Sequence, residues 1–155
     1  MEELKVGTES DVTQFIVVRL GEEQYGINIK YVDNIVRMQH ITRVPKVQEY
    51  LRGVINLRGE VIPVMSIRLK MELDLDEYTK STRIIILKLE QQGNIGVIVD
   101  EVKEVVTLDQ SQIEKVAYDS KEERENFIFA IGKYGDGGLI SLLDLNTVVL
   151  DRENA

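Results

Sequence analysis

Short apolar stretches alternate with clusters of turn residues along the chain from residue 13 onward. Within several stretches apolar and polar residues alternate with a period of two, as from Gly26 to Lys30, which is typical of half-buried β-strands. Turn signals recur roughly every ten residues, the spacing found in β-sandwiches and small barrels. The pattern predicts a mostly β protein with a loose N-terminal arm over residues 1–12.

Four turns are predicted to join neighbouring strands into hairpins. They lie at Leu20–Tyr25, Arg58–Gly59, Gly93–Asn94 and Gly135–Gly138. Glycine and, less readily, asparagine adopt the positive φ angles that tight hairpin turns need. Pro63 follows the second turn and lacks a backbone N–H group, so its strand is expected at a sheet edge or with a bulge.

Short helical segments are predicted where residues that favour a helix N-terminus precede apolar residues. They begin at Pro45, Ser66, Thr107 and Asp144. Proline is favoured at the first helical position, and serine, threonine or aspartate can accept a hydrogen bond from a free N–H group there. Thr107 and Gln110 together resemble a capping box. The stretch from Tyr31 to Met38 fits either a strand or a helical turn.

The two halves of the chain repeat the same order of segments. The aligned ranges are 16–20 with 85–89 (offset 69), 25–36 with 95–106 (offset 70) and 59–67 with 137–145 (offset 78). The repeat predicts two β-barrel subdomains, residues 13–80 and 81–155, the second ending in a short helix. About 70 residues give each barrel only a marginal core, so the barrels are expected to pack together. Exchange of strands between the halves stays open.

Composition agrees with a β protein and excludes several kinds of binding site. The chain has 19 valines and 17 isoleucines but only 3 alanines, and β-branched residues suit a pleated sheet. A net charge of −8 offers no basic footprint for nucleic acid. Cysteine is absent and His40 is the single histidine, which excludes thiolate and multi-histidine metal sites. No apolar run has membrane-spanning length, so a cytoplasmic protein without direct membrane insertion is expected.

The segment from Leu51 to Val64 carries the most specific signal. Its sequence, Leu-Arg-Gly-Val-Ile-Asn-Leu-Arg-Gly-Glu-Val-Ile-Pro-Val, resembles the hallmark stretch of the CheW family of bacterial chemotaxis coupling proteins. Further similar stretches are Ile41–Pro45, Gly96–Val102 and Leu139–Leu145, and the resemblance runs from Gln14 to Leu150. It implies two packed five-stranded SH3-like β-barrels with a few short helices.

The resemblance also implies a function in signal transduction. Members of this family are non-catalytic adaptors that couple the cytoplasmic tips of chemoreceptors (methyl-accepting chemotaxis proteins) to the regulatory domain of the histidine kinase CheA. We therefore expect a cytoplasmic protein that is recruited to membrane receptor clusters and that has no catalytic residues, metal or cofactor.

The resemblance places a receptor-binding groove between the barrels. The implied residues are Val32, Asn34, Ile35, Gly53, Arg58 and Ile84, and weaker candidates for the kinase contact are Ile95, Val97 and Val99. Core packing is an equally good interpretation of the apolar candidates for the groove, and a better one of those for the kinase contact. Many relatives have a glutamate at the position of Asn34, placed to pair with the arginine at the position of Arg58. The charged pair is absent here, although Asn34 can still accept a hydrogen bond.

Two other interpretations stay open. The chain fits a CheW-like coupling module of a larger chemotaxis protein, although no catalytic or phospho-acceptor segment follows within the sequence. An unrelated small β-barrel that binds a ligand would need convergent polar residues in a pocket, and the sequence pattern offers none.

Overall fold

A computed structural model describes residues 12–90, 93–116 and 127–149. The strands are β1 (Val12–Leu20), β2 (Glu23–Asn28), β3 (Val32–Arg37), β4 (Leu51–Leu57), β5 (Glu60–Ser66), β6 (Arg83–Leu89), β7 (Gly93–Val99), β8 (Glu101–Asp109), β9 (Ile113–Lys115), β10 (Ile128–Tyr134) and β11 (Gly138–Leu143). The helices are α1 (Ile67–Lys70) and α2 (Leu145–Val149), with 3₁₀ turns at Ile29–Tyr31 and Gln110–Gln112. Val12, expected in the N-terminal arm, is the first residue of β1. Residues 1–11 and Leu150 lie outside the described residues.

The strands form two sheets, and each sheet contains strands from both halves of the chain. The six-stranded sheet has the order β8-β1-β2-β11-β10-β9, and the five-stranded sheet has the order β3-β6-β7-β5-β4. The division between the sheets therefore does not fall at residue 80, and strands are exchanged between the halves. The six-stranded sheet has one strand more than the five expected because the short strand β9 pairs with β10.

The exchange is reciprocal and follows the internal repeat. In the six-stranded sheet β2 pairs in parallel with β11, with Gly26 opposite Leu142. In the five-stranded sheet β7 pairs in parallel with β5, with Gly96 opposite Val64. The two pairs correspond by the repeat offsets of 70 and 78 residues. Each sheet is therefore the same arrangement, in which a hairpin from one half completes the sheet of the other half.

Both glycines in these pairs are needed for close packing rather than for backbone conformation. A Cβ atom added at Gly26 would lie 2.6 Å from Leu142 Cδ2, and one added at Gly96 would lie 2.8 Å from Ile84 Cγ2. Contacts this short do not occur between carbon atoms, so a side chain at either position would force the facing side chain to move within the packed core.

The buried apolar residues form three clusters. One cluster fills the five-stranded sheet (Ile55, Ile62, Val64, Ile84, Ile86 and Ile98) and another fills the six-stranded sheet (Phe15, Val17, Leu108, Ala130, Ile140 and Leu142). The largest, here called the seam, takes residues from both sheets and from both helices. Strand β6 shows why: Ile84 and Ile86 face the inside of their own sheet, whereas Ile85 and Leu87 face the seam. The expectation of two barrels packed together is confirmed.

Some local predictions are confirmed. Ser66 caps α1, with its Oγ accepting a hydrogen bond from the Leu69 N–H group at 3.1 Å. Asp144 precedes α2, and its Oδ1 accepts from the Thr147 N–H group at 3.4 Å. Tyr31 ends a 3₁₀ turn, and the residues that follow it form β3.

Four local predictions are wrong. Gly93 and Asn94, predicted to form a turn, belong to β7 and pair with β6. Residues 45–50 form turns rather than a helix, because Lys46 has a φ of 61°, in the left-handed region that a right-handed helix excludes. The capping box lies at Asp109 and Gln112, two residues beyond the predicted pair, because Thr107 still belongs to β8. Pro63 lies in the inner strand β5 without a bulge at its own position.

Pro63 fits in an inner strand because of the hydrogen bonds made by Val54, the residue opposite it. Pro63 lies opposite Val54, whose N–H and C=O groups both point away from β5, toward Thr42. The missing N–H group of Pro63 therefore faces the side of β7, where pairing begins only at Val64. No ladder hydrogen bond is lost at this position.

Candidate functional site

Strand β3 lies at the edge of the five-stranded sheet and carries three of the predicted receptor-binding residues. Ile35 is 37% exposed, whereas Val32 and Asn34 are half-buried. Val32 packs against the seam. The Asn34 Oδ1 accepts a hydrogen bond from the Ile35 N–H group at 2.8 Å, just beyond an irregularity in the pairing with β6. The structure thus brings an apolar surface and one polar side chain together on this strand.

Arg58 lies at the tip of the β4–β5 hairpin in a strained conformation. Its φ is 54° and that of Gly59 is 82°, and both angles are in the left-handed region. Glycine adopts this region freely, but an arginine there costs roughly 1–2 kcal/mol. The Asn56 side chain stabilises the turn, because its Oδ1 accepts a hydrogen bond from the Gly59 N–H group at 3.1 Å. The guanidinium is exposed and makes no hydrogen bond or ion pair with the described residues.

Strand directions place Val32 and Arg58 at the same end of the five-stranded sheet. Strand β3 is antiparallel to β6, β6 is antiparallel to β7, and β7 is parallel to β5, so β3 and β5 run in the same direction. Val32 begins β3 and Arg58 immediately precedes β5. Gly53 lies five residues before Arg58 along β4, toward the other end.

Gly53 and Ile84 are buried, so neither lies on the surface. Gly53 has a φ of 143°, and an added Cβ would lie 2.1 Å from the Thr42 carbonyl oxygen. The glycine is therefore required for the bridge that joins Thr42 to β4. Ile84 is fully buried inside the five-stranded sheet. Both residues support the sheet from within.

The weaker kinase-binding candidates lie mostly in the seam. Val97 and Val99 are fully buried there, and Ile95 is half-buried at its margin. Strand β7 is also an inner strand between β6 and β5, so its backbone is already paired. Core packing was the better interpretation of these residues from the sequence, and the structure confirms it for Val97 and Val99.

Two exposed apolar residues occupy equivalent places in the two sheets. Val61 is 62% exposed at the start of β5, and Leu139 is 59% exposed at the start of β11. They correspond by the repeat offset of 78 residues. Isolated apolar residues on a surface are common, and these two differ from the others in lying at equivalent places on two equivalent hairpins.

An ion-pair network at the seam joins the two sheets. The Asp100 carboxylate lies between β7 and β8 and accepts two hydrogen bonds from Arg68 in α1, from Nε at 3.0 Å and from Nη2 at 2.5 Å. The Gly21 N–H group donates to the same carboxylate at 2.8 Å. Arg19 lies 3.5 Å from Asp100 and 3.1 Å from Glu101. Sequence reasoning missed this network because its members come from three separate segments.

The network determines the protonation of Asp100. Burial alone would raise the pKa of this carboxyl, but the hydrogen bonds from Arg68 and Gly21 and the positive charges of Arg68 and Arg19 outweigh burial and lower it. Asp100 is only 8% exposed and remains ionised at neutral pH. A buried carboxylate with two donors of this kind fixes the relative position of the two sheets.

Asp76, nearby in the segment after α1, has the opposite shift. Its carboxylate accepts a 2.5 Å hydrogen bond from the fully buried Ser66 hydroxyl, and its Oδ1 atom is buried with no hydrogen-bond partner in the described part of the chain. Burial raises the pKa of Asp76, and the bond from Ser66 and the charge of Arg68 offset only part of this effect.

No group of three or more potential metal ligands occurs in residues 12–90, 93–116 and 127–149. Neither described helix is long and apolar enough to cross a membrane.

Two reciprocally joined barrels carry exposed apolar residues at matching places on equivalent hairpins. The family model of the CheW-like domain matches residues 14–153. The chain belongs to the CheW family, the coupling adaptors of bacterial chemotaxis.

Individual relatives agree with this assignment. The chain is 36% identical over 153 residues to the chemotaxis protein CheW of Bacillus subtilis, covering 99% of this chain and 93% of that protein. It is 33% identical over 139 residues to the CheW of Helicobacter pylori, covering 90% and 82%. The crystal structure of the scaffolding protein TtCheW from Thermoanaerobacter tengcongensis is similar with a TM-score of 0.79 and 32% identity, covering 88% of this chain and 91% of that one.

Proposed function

We propose that this protein is a non-catalytic adaptor that joins the cytoplasmic tips of chemoreceptors to the regulatory domain of the histidine kinase CheA. The observation that carries the proposal is the match to the CheW-like family model over residues 14–153. The proposed partners place the protein in the cytoplasm, at clusters of membrane receptors.

The proposed receptor surface consists of Val32, Asn34, Ile35 and Arg58. Receptor tips are helical bundles, and a helix docks through an apolar ridge into an apolar groove. Ile35 is exposed on the edge strand, and Val32 borders the seam between the sheets. Arg58 is exposed and strained, which supports a binding role, because a strained exposed residue has no benefit for folding. Gly53 and Ile84 maintain this surface from inside the sheet.

The proposed kinase contact uses exposed hairpin residues rather than β7. Val97 and Val99 are buried, so a partner cannot reach them without opening the seam. Val61 and Leu139 are exposed on equivalent hairpins of the two sheets. The regulatory domain of CheA has a CheW-like fold of its own, so a contact between similar barrels would repeat similar surfaces. Ile95, at the margin of the seam, would contribute only at the edge of such a contact.

Binding titrations with a receptor-tip fragment and with the isolated kinase regulatory domain test the proposal. Both fragments are expected to bind the unmodified protein, and Leu139→Glu or Val61→Glu is expected to weaken only the kinase interaction. Absence of binding by both fragments would contradict the adaptor function. A thermal-shift screen with small metabolites run in parallel should give no stabilisation, and a strong shift would favour a ligand-binding barrel instead.

A further inference from the structure

The ion-pair network has an open counterpart at the other side of the seam. A cavity of about 690 Å³ is lined by Lys30, Tyr31, Lys88, Leu89, Glu90 and Asn146. By the repeat offsets these six residues correspond in turn to Asp100, Glu101, Arg19, Leu20, Gly21 and Arg68. The cavity therefore lies at the place that corresponds to the Arg68–Asp100 network in the other half of the chain.

The two places differ in charge. In the network, two arginines are balanced by two carboxylates, and the Asp100 carboxylate has at least three donors. In the cavity, Lys30 replaces Asp100 and Asn146 replaces Arg68, so the buried carboxylate is missing. Lys30, Lys88 and Glu90 leave an excess of one positive charge in a protein whose net charge is −8. All three side chains are exposed, and none has an ion pair among the described residues.

A backbone hydrogen bond and a ring contact position Lys30 at the cavity, and strand pairing positions the backbone of Lys88. The Lys30 N–H group donates a 3.0 Å hydrogen bond to Asn28 Oδ1, and the Lys30 ammonium lies 5.1 Å from the centroid of the Tyr31 ring. An ammonium at this distance from an aromatic face is weakly attracted to it. Lys88 belongs to β6, whose pairing with β3 and β7 fixes its backbone.

The cavity is continuous with the proposed receptor surface. Val32 directly follows Tyr31, and its partner across the strands, Leu87, directly precedes Lys88. A helix that contacts Val32 and Ile35 would therefore pass beside the two lysines. Asn146 in α2, which carries a side-chain amide, also lines the cavity.

We propose that this cavity binds the carboxylate of an aspartate or glutamate on the docked receptor helix. The partner carboxylate would lie between the Lys30 and Lys88 ammonium groups, with the Asn146 amide able to donate a hydrogen bond. In this way the partner supplies the acid that the chain itself supplies, as Asp100, in the other half. The inference rests on the proposed function and names the chemistry of the receptor side of the contact.

Charge variants of the full chain test the inference in titrations with the receptor-tip fragment. The double variant Lys30→Gln, Lys88→Gln is expected to bind about tenfold more weakly, with a smaller dependence on salt. Glu90→Gln is expected to bind about threefold more tightly, because it removes the competing carboxylate. The matched control Lys115→Gln, Lys133→Gln neutralises two exposed lysines of β9 and β10 and should leave the affinity unchanged.

Charge reversal then identifies the partner group. Lys30→Glu should lose binding, and replacing one acidic residue of the receptor fragment by lysine should restore it. Affinity of the Lys30/Lys88 variant equal to that of the control would overturn this inference while leaving the adaptor function intact. The double variant Asp151→Asn, Glu153→Gln is a further control. If it weakens receptor binding as much as the lysine variants do, the lysines act by pairing with the chain's own acidic residues, and this inference is overturned. Absence of any binding by the unmodified protein would contradict the proposed function and this inference with it.

Discussion

Arg68 and Asp100 form a two-point ion pair across the seam, although they lie 32 residues apart in the chain. Arg68 follows the last strand of the first half, and Asp100 stands between β7 of one sheet and β8 of the other. The pair therefore ties α1 to the point at which the chain crosses between the sheets. Its carboxylate also binds the β1–β2 turn through the Gly21 N–H group.

Replacing Asp100 should destabilise the protein. Asp100→Asn removes the buried charge that balances the half-buried Arg68 guanidinium, and we expect a loss of about 2 kcal/mol in the free energy of unfolding. For a chain of this size that is a fall in Tm of about 4–8 °C. Thermal denaturation measures it, with Glu101→Gln as the control, because Glu101 forms a more exposed pair with Arg19 that contributes about 0.5 kcal/mol or less. Equal effects of the two substitutions would contradict the structural role of Asp100.

Two carboxyls should give opposite contributions to the acid stability. The pKa of Asp100 is lowered in the folded state, so its contribution is present above its ordinary pKa of 3.8 and is lost as the pH falls through the lower folded value. The pKa of Asp76 is raised, so the folded state binds a proton more readily there and gains relative stability as the pH falls toward 3.8.

Urea denaturation at a series of acidic pH values separates the two contributions. Asp100→Asn should flatten the decline of the unfolding free energy with falling pH, and Asp76→Asn should steepen it. Parallel profiles for both variants and the unmodified protein would show that neither carboxyl is shifted as the structure indicates.

An exposed residue of β3 should affect receptor binding without affecting the fold. Ile35→Glu places a charge on the proposed apolar surface, and we expect at least tenfold weaker binding of the receptor-tip fragment with an unchanged Tm. Val105→Glu is the matched control, because Val105 is 50% exposed and occupies the equivalent position on β8, paired with Ile16 as Ile35 is with Ile85. Equal losses of affinity in both variants would remove β3 from the receptor surface.

Arg58 should contribute to binding at a cost in stability. Arg58→Ala is expected to weaken receptor binding about tenfold, since arginine is prominent among energetically important interface residues. Arg58→Gly should lose the same affinity while gaining about 1 kcal/mol in the free energy of unfolding, because glycine relieves the positive φ. Titrations and denaturation of both variants measure the two effects. Unchanged receptor affinity in both variants would show that Arg58 does not contribute to receptor binding.

Several turns and caps could be predicted from the sequence because they depend on neighbouring residues. Ser66 and Asp144 are examples, as is the Arg58–Gly59 turn. The internal repeat could also be recognised, because the order of segments and the positions of glycines recur in the two halves of the sequence. The exchange of strands could not be predicted, since the two halves share one alternation pattern and either hairpin satisfies the hydrogen bonds of either sheet.

The candidate site was only partly accessible to sequence reasoning. An apolar residue in an alternating strand can face the core, the seam or the solvent, and Ile35, Val97 and Ile84 illustrate how these differ. Whether such a residue is buried depends on which strand lies beside its own strand. The exchange of strands between the two halves determines that neighbour. The Asp100 network joins three segments that only the fold brings together, and the cavity corresponds to it through the internal repeat.

The most direct test of the adaptor function is the formation of a ternary complex. Sedimentation of this protein with a receptor-tip fragment and the kinase regulatory domain should show one species containing all three. The proposed receptor and kinase surfaces do not share residues, so both partners should bind at the same time, although Arg58 and Val61 lie on one hairpin and their contacts can influence each other. Displacement of one partner by the other, or the absence of a species that contains both, would contradict the account.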